Sequence, residues 1–269
     1  LAIENDKTNS NLNFDAWLVI NKGRPTSLQV ELRDNYISWL QADSAHKIAV
    51  NDGQLSFIKK AQGNEFYLRT SPLTILQNDK AWQPAIVQIE KGQDALAGYI
   101  SSADVTGLND IFSLLNADEK TQGILDGLSA KGHVKDLYFK TDEKGTSATA
   151  FVAIEKTNFV AGIPGLDNLS AKIRLENNML AVDIDAQDGH LDFDKHFIQP
   201  IPYSKIKTQI VADFSLPDFK LDVNDIVIES PELSLVGDVN ITIPEIGDAR
   251  MALLTTINNL DAKHANHYY

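Results

Sequence analysis

The feature that most constrains the fold is the spacing of apolar side chains, which recur at every second position. The clearest case is near the start, in Leu12, Phe14, Ala16, Leu18 and Ile20. An extended chain points successive side chains to opposite faces, so this spacing gives a strand with one apolar face. The same period returns in five further stretches, at 28–32, 148–152, 180–184, 219–223 and 239–243. Repeated amphipathic strands of this kind are typical of antiparallel sheets.

Turn-forming residues separate these stretches, and helical spacing is rare. Residues 51–53, 143–145, 176–178, 187–189 and 216–218 are rich in Gly, Asn, Asp or Pro, and each is predicted to reverse the chain. Three- and four-residue apolar spacing occurs at 104–116, and a second short helix is predicted near 261–269. The predicted fold is therefore mainly β, with a long antiparallel, curled and groove-like sheet and one or two short helices.

An internal similarity predicts how the chain is divided. Residues 65–75 align with residues 218–228, and an acidic residue, Phe, Leu and a final Ile match at equivalent positions. We interpret the similarity as two units of a repeating β array, at 1–124 with a helix near 104–116 and at 125–269 ending in a short helix, in a continuous sheet. Chance similarity between two strands that share a two-residue period is the alternative.

Charge and composition exclude several classes of partner. The chain has 24 Lys and Arg against 37 Asp and Glu, a net charge of −13, which repels phosphate backbones and makes nucleic acid an unexpected partner. It has no Cys, so neither disulfides nor thiolate metal sites can form. The sequence begins with Leu1 and has no signal-peptide pattern or bilayer-spanning apolar run. We expect a segment of a longer chain, with any membrane anchor outside it.

Motifs for catalysis or metal binding are absent from the sequence. There is no Gly-rich phosphate loop, Gly-x-Ser-x-Gly elbow or His-Glu-x-x-His pair. His264 and His267 are three residues apart, but a metal would need a further ligand, and a solvent-exposed face is the simpler interpretation. We therefore predict no enzyme activity, no catalytic residue, no metal and no cofactor. A hydrolase with an unrecognised carboxylate pair is the alternative.

Two further features have an ordinary structural explanation. The acidic stretch 183–194 does not match the register of a calcium-binding loop, and we interpret it as two strands joined by a turn at 187–189. Trp17, Trp39 and Trp82 could stack on sugars or bases. Aromatic residues at core-facing strand positions usually pack inside a protein, however, so we interpret the tryptophans as structural.

The second half of the chain resembles a known family. Residues 163–173 read Ile-Pro-Gly-Leu-Asp-Asn-Leu-Ser-Ala-Lys-Ile, followed by an Asp-Gly element at 188–189 and a Gln-Pro-Ile-Pro connector at 199–202. This order is similar to the Pro-Gly-Leu-x-x-Leu-Ser pattern, Asp-Gly hairpin and proline connector of the YhdP proteins of the AsmA-like superfamily. The resemblance is clear from about residue 125 to 269 and weaker, but collinear, from 14 to 115.

The resemblance implies a periplasmic segment of a large protein anchored in the inner membrane of a Gram-negative bacterium. Members of this family resemble TamB and the eukaryotic bridge-like lipid transporters, have a repeating β-groove, and are implicated in moving phospholipid towards the outer membrane. The implied partners are phospholipid acyl chains and neighbouring repeats of the same chain. The family has no catalytic residues to transfer.

Alternation alone selects the side chains that would line such a groove. They are apolar, lie two positions apart within a strand, and are Phe66, Leu68, Leu180, Val182, Ile184, Leu191, Phe193, Phe219, Leu221 and Val223. Ordinary packing against a covering layer would place the same residues inside. The alternative function is a periplasmic scaffold or protein-binding β module that pairs edge to edge with a partner and carries no lipid.

Overall fold

A computed structural model describes residues 8–41, 44–60, 64–108, 127, 129–160, 165–196, 198–214, 218–231 and 233–260. Strands cover most of these residues, and the strand pairings within each compact unit are antiparallel, which confirms the mainly β, antiparallel fold. The strands, in chain order, are β1 Thr8–Asn11, β2 Phe14–Asn21, β3 Arg24–Gln41, β4 Ser44–Lys59, β5 Phe66–Thr70, β6 Thr74–Gln77, β7 Lys80–Ala81, β8 Val87–Lys91, β9 Leu96–Asp104, β10 Lys131–Asp142, β11 Gly145–Lys156, β12 Gly165–Glu176, β13 Met179–Asp192, β14 Ile201–Asp213, β15 Phe219–Glu229, β16 Leu233–Ile243 and β17 Arg250–Leu260.

The chain divides into two compact units that do not follow a single boundary in sequence. The first comprises 1–110 and 135–145, and the second comprises 111–134 and 146–269. The division into repeats at residues 124 and 125 stays a prediction. The similar segments 65–75 and 218–228 differ in structure, since the first is split between β5 and β6, whereas all of the second after its first residue lies within β15.

In the first unit, two long strands organise their shorter neighbours. β2 pairs with the first half of β3 and β1 with its second half. β3 pairs with β4, whose two halves pair with β6 and β5, and β5 continues through β8 to β9. A buried cluster of Leu73, Ile75 and Ala85 lies at this branch. Leu73 packs directly on Gly53, which leaves no room there for a side chain.

In the second unit, successive strands are joined as a simple meander. β11 to β17 pair in chain order, each with the next, through hairpins such as the turn at 177–178. The predicted turns at 143–145 and 176–178 are confirmed. The predicted turn at 216–218 lies largely outside the described residues. From β12 to β17, contacting strands are hydrogen-bonded neighbours.

Two of the predicted turns are wrong, because these residues lie inside continuous strands. Residues 51–53 are within β4, where the register with β6 shifts between Val50 and Asp52. Residues 187–189 are within β13, where Asp188 has a φ of 49° and the register with β12 shifts. Each is a β-bulge, in which extra residues bend and twist the strand without reversing it. The acidic stretch 183–194 is therefore not a hairpin.

Helical structure is a minor part of the described residues. Residues 105–108 are helical, and the remaining positions of the helix predicted at 104–116 lie outside the described residues, apart from Asp104, which ends β9. Asp104 caps this turn, since its carboxylate accepts hydrogen bonds from the backbone N–H groups of Thr106 and Gly107. A short 3₁₀ turn spans Asp194–His196. The helix predicted near 261–269, with His264 and His267, lies outside the described residues.

Candidate functional site

Strand register in the second unit places apolar side chains in rows that cross the sheet. In each row, directly opposite residues on adjacent strands project from the same face. Two complete rows cross seven strands from β11 to β17: Ala148, Leu175, Leu180, Ala212, Leu221, Ile241 and Met251 form the first, and Ala150, Ile173, Val182, Ile210, Val223, Val239 and Leu253 form the second. We call the side that carries these rows the apolar face.

Two further rows continue the apolar face towards the bulges. The third row contains Val152, Ala171, Ile184 and Thr208. The fourth crosses all seven strands and contains Ile154, Leu169, Ala186, Ile206, Ile228, Leu235 and Ile257. The bulges at Asn168 and Asp188 shift the register without breaking the apolar sequence of this row. At about 4.8 Å between strands, six spacings make a row about 29 Å long.

The apolar face is only partly shielded from solvent. Leu180, Val182, Leu221 and Val223 are partly exposed, and Leu253 in the second row is 58% exposed. The buried members of the first two rows are alanines, which are small enough to be covered by their neighbours. No large side chain among the described residues is less than 2% exposed. A sheet covered by a second layer would instead bury large side chains fully.

The opposite face of the second unit carries charged and amide side chains that pair with one another, together with exposed apolar residues such as Phe151 and Leu254. Arg174 forms an ion pair with Asp183 at 2.8 Å, and the side-chain amide of Gln209 donates a hydrogen bond to the same carboxylate at 2.7 Å. Asn240 donates to Asp222 at 2.9 Å. These residues alternate in sequence with the apolar rows, and we call the side that carries them the polar face.

One end of the apolar face is closed by a small core. Ala186 and Ile206 of the fourth row pack with Tyr203, which is 3% exposed, and Leu191 lies against this cluster. The Tyr203 hydroxyl donates a hydrogen bond to the backbone carbonyl of Asp167. Burial, together with the nearby Asp167 carboxylate, raises the pKa of Tyr203 to about 12. The phenol therefore stays neutral at physiological pH.

Most of the predicted groove residues in the second unit lie on this face. Leu180 and Leu221 share the first row, Val182 and Val223 share the second, and Ile184 lies in the third. The structure brings Leu191 into the closed end. It places Phe219 opposite Ile243, with its ring 5.3 Å from that of Phe214, and it places partly buried Phe193 just after β13. Contact of any of these residues with lipid stays a prediction.

The two predicted groove residues of the first unit also share a face. Leu68 lies in a row of Leu18, Leu28, Phe57, Leu68 and Ile89 that crosses β2, β3, β4, β5 and β8. Phe66 lies two positions before Leu68 on β5, and its ring is 5.2 Å from that of Phe57. Both are partly exposed. The first unit therefore has an apolar face of its own.

The interpretation of all three tryptophans as structural is not supported for Trp17. Trp39 is 4% exposed and Trp82 packs against the buried cluster of the first unit. Trp17 is 54% exposed and projects from the polar side of β2, opposite Leu18. The phase of Trp17 is the signal that separates it from the others, because it lies between the apolar positions Ala16 and Leu18 and so belongs to the other face.

The described parts of the chain contain neither a membrane-spanning helix nor a cluster of metal ligands. No helix there has the length and apolar character needed to cross a membrane. Over the same ranges, no group of three or more histidine or acidic side chains is arranged to hold a metal ion.

Comparison with known proteins identifies one family. The model of the family described as YhdP protein matches residues 2–269. No curated protein and no solved structure matches the chain. The family match extends over nearly the whole chain, including the first half, where the sequence resemblance is weaker.

Proposed function

This chain belongs to the YhdP protein family, and from that premise we propose that its apolar face shields phospholipid acyl chains while they move between the inner and outer membranes. The observation that carries the proposal is the set of apolar rows that cross the second unit and remain partly exposed. A partly exposed apolar surface of this extent is unusual for a protein with no apolar ligand.

The dimensions of the rows fit an acyl chain. A bilayer core is about 30 Å thick, so one extended chain spans about 15 Å, or roughly half of one row. Each methylene group transferred from water to the apolar face gains about 0.8 kcal/mol. Branched and unbranched aliphatic side chains offer no hydrogen bond that would fix a lipid at one position. A chain can therefore slide from one row position to the next at little cost.

The polar face supports the same proposal from the other side of the sheet. Lys220 and Asp222 alternate along β15 with the apolar positions Leu221 and Val223 and project from the opposite side of the sheet. Water on that face solvates the sheet, while the apolar face remains available for lipid. No bond is made or broken in this function, so we propose a non-enzymatic role without a cofactor.

We place this function in the periplasm of a Gram-negative bacterium, as part of a longer protein anchored in the inner membrane. The family membership supports this location. The net charge of −13 fits a segment that does not itself dock on anionic lipid headgroups. Its partners are then phospholipid acyl chains and neighbouring segments of the same chain.

Site-specific photo-crosslinking in cells with radiolabelled phospholipid tests the proposal. A photoreactive phenylalanine analogue is placed at Leu221 or Val223 on the apolar face, and at Lys220 as the matched control on the polar face of the same strand. We expect labelled lipid at the first two positions and background labelling at Lys220, since adjacent side chains point to opposite sides.

Two results would contradict the proposal. Equal labelling at Leu221 and Lys220 would mean that lipid contact does not follow the faces of the sheet. No labelling at either position, with the variant proteins present at normal levels, would remove lipid from this segment. Crosslinks to a protein instead of lipid would favour the scaffold function.

A further inference from the structure

A cavity lined by both polar and apolar residues lies in the first unit, with polar side chains from the side of the sheet opposite its apolar face. It has a volume of about 560 Å³, within the range of about 300–1,000 Å³ that is usual for small-molecule sites. Register places Trp17, Gln29, Ser56 and Arg69 in one row across β2, β3, β4 and β5, and all four line the cavity.

The wall of the cavity is fixed by backbone and side-chain hydrogen bonds. Ser71 and Pro72, at the corner after β5, form one side. The backbone N–H of Gln54 donates to the Ser71 hydroxyl at 2.8 Å, and the backbone N–H of Ser71 donates to the carbonyl of Gln54 at 2.8 Å. Because the corner is bonded to β4, the cavity is formed before any ligand arrives.

Trp17 supplies an exposed aromatic surface in this cavity. Its side chain is 54% exposed, whereas Trp39 is 4% exposed. Neither side of β2 is covered, since Leu18 is 53% exposed, so a ligand and not the other face of the strand would remove the indole from water. A ligand with an apolar surface and a polar edge would cover the ring and still bond to the polar groups around it.

The polar groups around Trp17 combine donors and acceptors with little net charge. Glu31 is held by Arg33 at 3.4 Å, and Arg33 also pairs with Asp15 at 2.8 Å. No described residue forms an ion pair with Arg69, so its donors are available. Gln29 and Gln54 add amide groups that both donate and accept. The Arg69 guanidinium beside the Glu31 carboxylate is a poor match for a polyanion. These two groups and the glutamine amides instead match a ligand with many hydroxyl groups.

We propose that this cavity binds a saccharide, with the apolar face of a sugar ring stacked on Trp17. The ring hydroxyls bond to Arg69, Glu31 and the glutamine amides. A soluble oligosaccharide and the headgroup of a glycolipid offer the same chemistry. This site is separate from the acyl-chain function, since its side chains project from the opposite face of the strands.

The purified full chain is first applied to a glycan array with hydrophilic linkers. It is then titrated with the oligosaccharide that binds most strongly on the array, free in solution, and separately with vesicles that contain a glycolipid bearing the same sugar. Trp17 is the most exposed of the three tryptophans, so quenching of tryptophan fluorescence by acrylamide reports mainly on its ring. We expect saturable binding that protects the fluorescence from quenching. Binding to the free sugar would indicate a soluble ligand, and binding to vesicles alone would indicate a glycolipid headgroup.

Three variants connect binding to this cavity. Trp17→Ala and Arg69→Gln should each weaken binding at least tenfold, and Leu18→Ala, on the same strand and the opposite face, should leave it unchanged. Thermal unfolding of each variant confirms that the fold is retained. The proposal is overturned if the unaltered chain binds no glycan in either form. It is also overturned if folded Trp17→Ala and Arg69→Gln bind as tightly as the unaltered chain.

Discussion

Two isoleucines on β14 test whether the apolar face is open. Ile206 and Ile210 project from the same face and are four residues apart. Ile206 is 8% exposed and packs with Ala186 and Tyr203 at the closed end. Ile210 lies in the second apolar row and is partly exposed. The same substitution, isoleucine to alanine, can therefore be compared at a covered and an uncovered position of one strand.

The expected costs differ because only one substitution leaves a cavity. Replacing Ile by Ala removes three carbons, or about 2.4 kcal/mol if all are fully buried at about 0.8 kcal/mol each. At Ile206 the cavity adds to this, so we expect the free energy of unfolding to fall by about 3 kcal/mol. At Ile210 part of the side chain is already in water and solvent fills the space, so we expect a loss of about 1 kcal/mol.

Urea unfolding followed by far-ultraviolet circular dichroism measures both losses. The comparison requires the dependence of unfolding free energy on urea to be the same in the two variants, so that midpoints report stability. If Ile210→Ala costs as much as Ile206→Ala, a layer covers the second row. The apolar face would then be an ordinary core, and the acyl-chain proposal would lose the observation that carries it.

Three further predictions concern the closed end of the apolar face. Asp188 has a φ of 49°, in the left-handed region that Gly tolerates best. In urea unfolding, Asp188→Ala should lower the free energy of unfolding by about 1 kcal/mol, and Asp188→Gly should lower it less. Equal losses would mean that the backbone conformation is not the cause. A Cβ on Gly189 would lie 2.5 Å from the Tyr203 hydroxyl oxygen and 2.7 Å from the Asp167 carbonyl oxygen. Gly189→Ala should therefore lower the free energy of unfolding by about 2–3 kcal/mol and lower the Tm in calorimetry. An unchanged Tm would refute the close approach. The pKa of Tyr203 is raised from 10.0 to about 12, so its contribution to stability is complete below pH 10 and is lost as the pH rises from 10 to 12. The Tm measured across this window should fall less in Tyr203→Phe than in the unaltered chain, and an equal fall would contradict the assignment.

Alternation in the sequence was sufficient to predict the faces of the strands. The positions of Leu180 and Val182 in the apolar rows follow from the two-residue period alone, because side-chain direction in a strand is a local property. Which strand lies opposite is not local. The pairing of Leu180 with Leu175 follows from the predicted turn at 176–178, whereas its pairing with Ala212 could be known only from the structure.

The Asp-Gly elements at 51–53 and 187–189 were wrongly predicted to be turns, because their outcome also depends on which strand lies opposite. A left-handed residue followed by glycine is compatible with a tight turn and with a β-bulge, so the local sequence at 187–189 permits both. The outcome depends on whether the following residues pair back on the same strand or continue beside a neighbour. In β13, Gly189 to Leu191 continue alongside β14, from Tyr203 to Ile201, and this long-range pairing selects the bulge.

The cavity of the first unit was not predicted, because its residues are far apart in sequence. Trp17, Gln29, Ser56 and Arg69 meet only through three successive strand registers. No motif search detects such a row, since each strand contributes one residue. The only local signal was a tryptophan at a position out of phase with the apolar residues beside it.

The first unit also has an apolar face, on the side opposite the saccharide site, and we expect it to contact acyl chains as the second unit does, so the two kinds of binding should be separable. Leu18 and Leu68 belong to the apolar row, and Trp17 and Arg69, each adjacent in sequence to one of them, belong to the polar row. Substitution of Leu68 by a charged residue should reduce lipid crosslinking in this unit and leave saccharide binding intact, while Arg69→Gln should do the reverse. Loss of both activities in either folded variant would mean that the faces are not independent, and a shift in register, which exchanges the faces of a strand, would be the physical explanation.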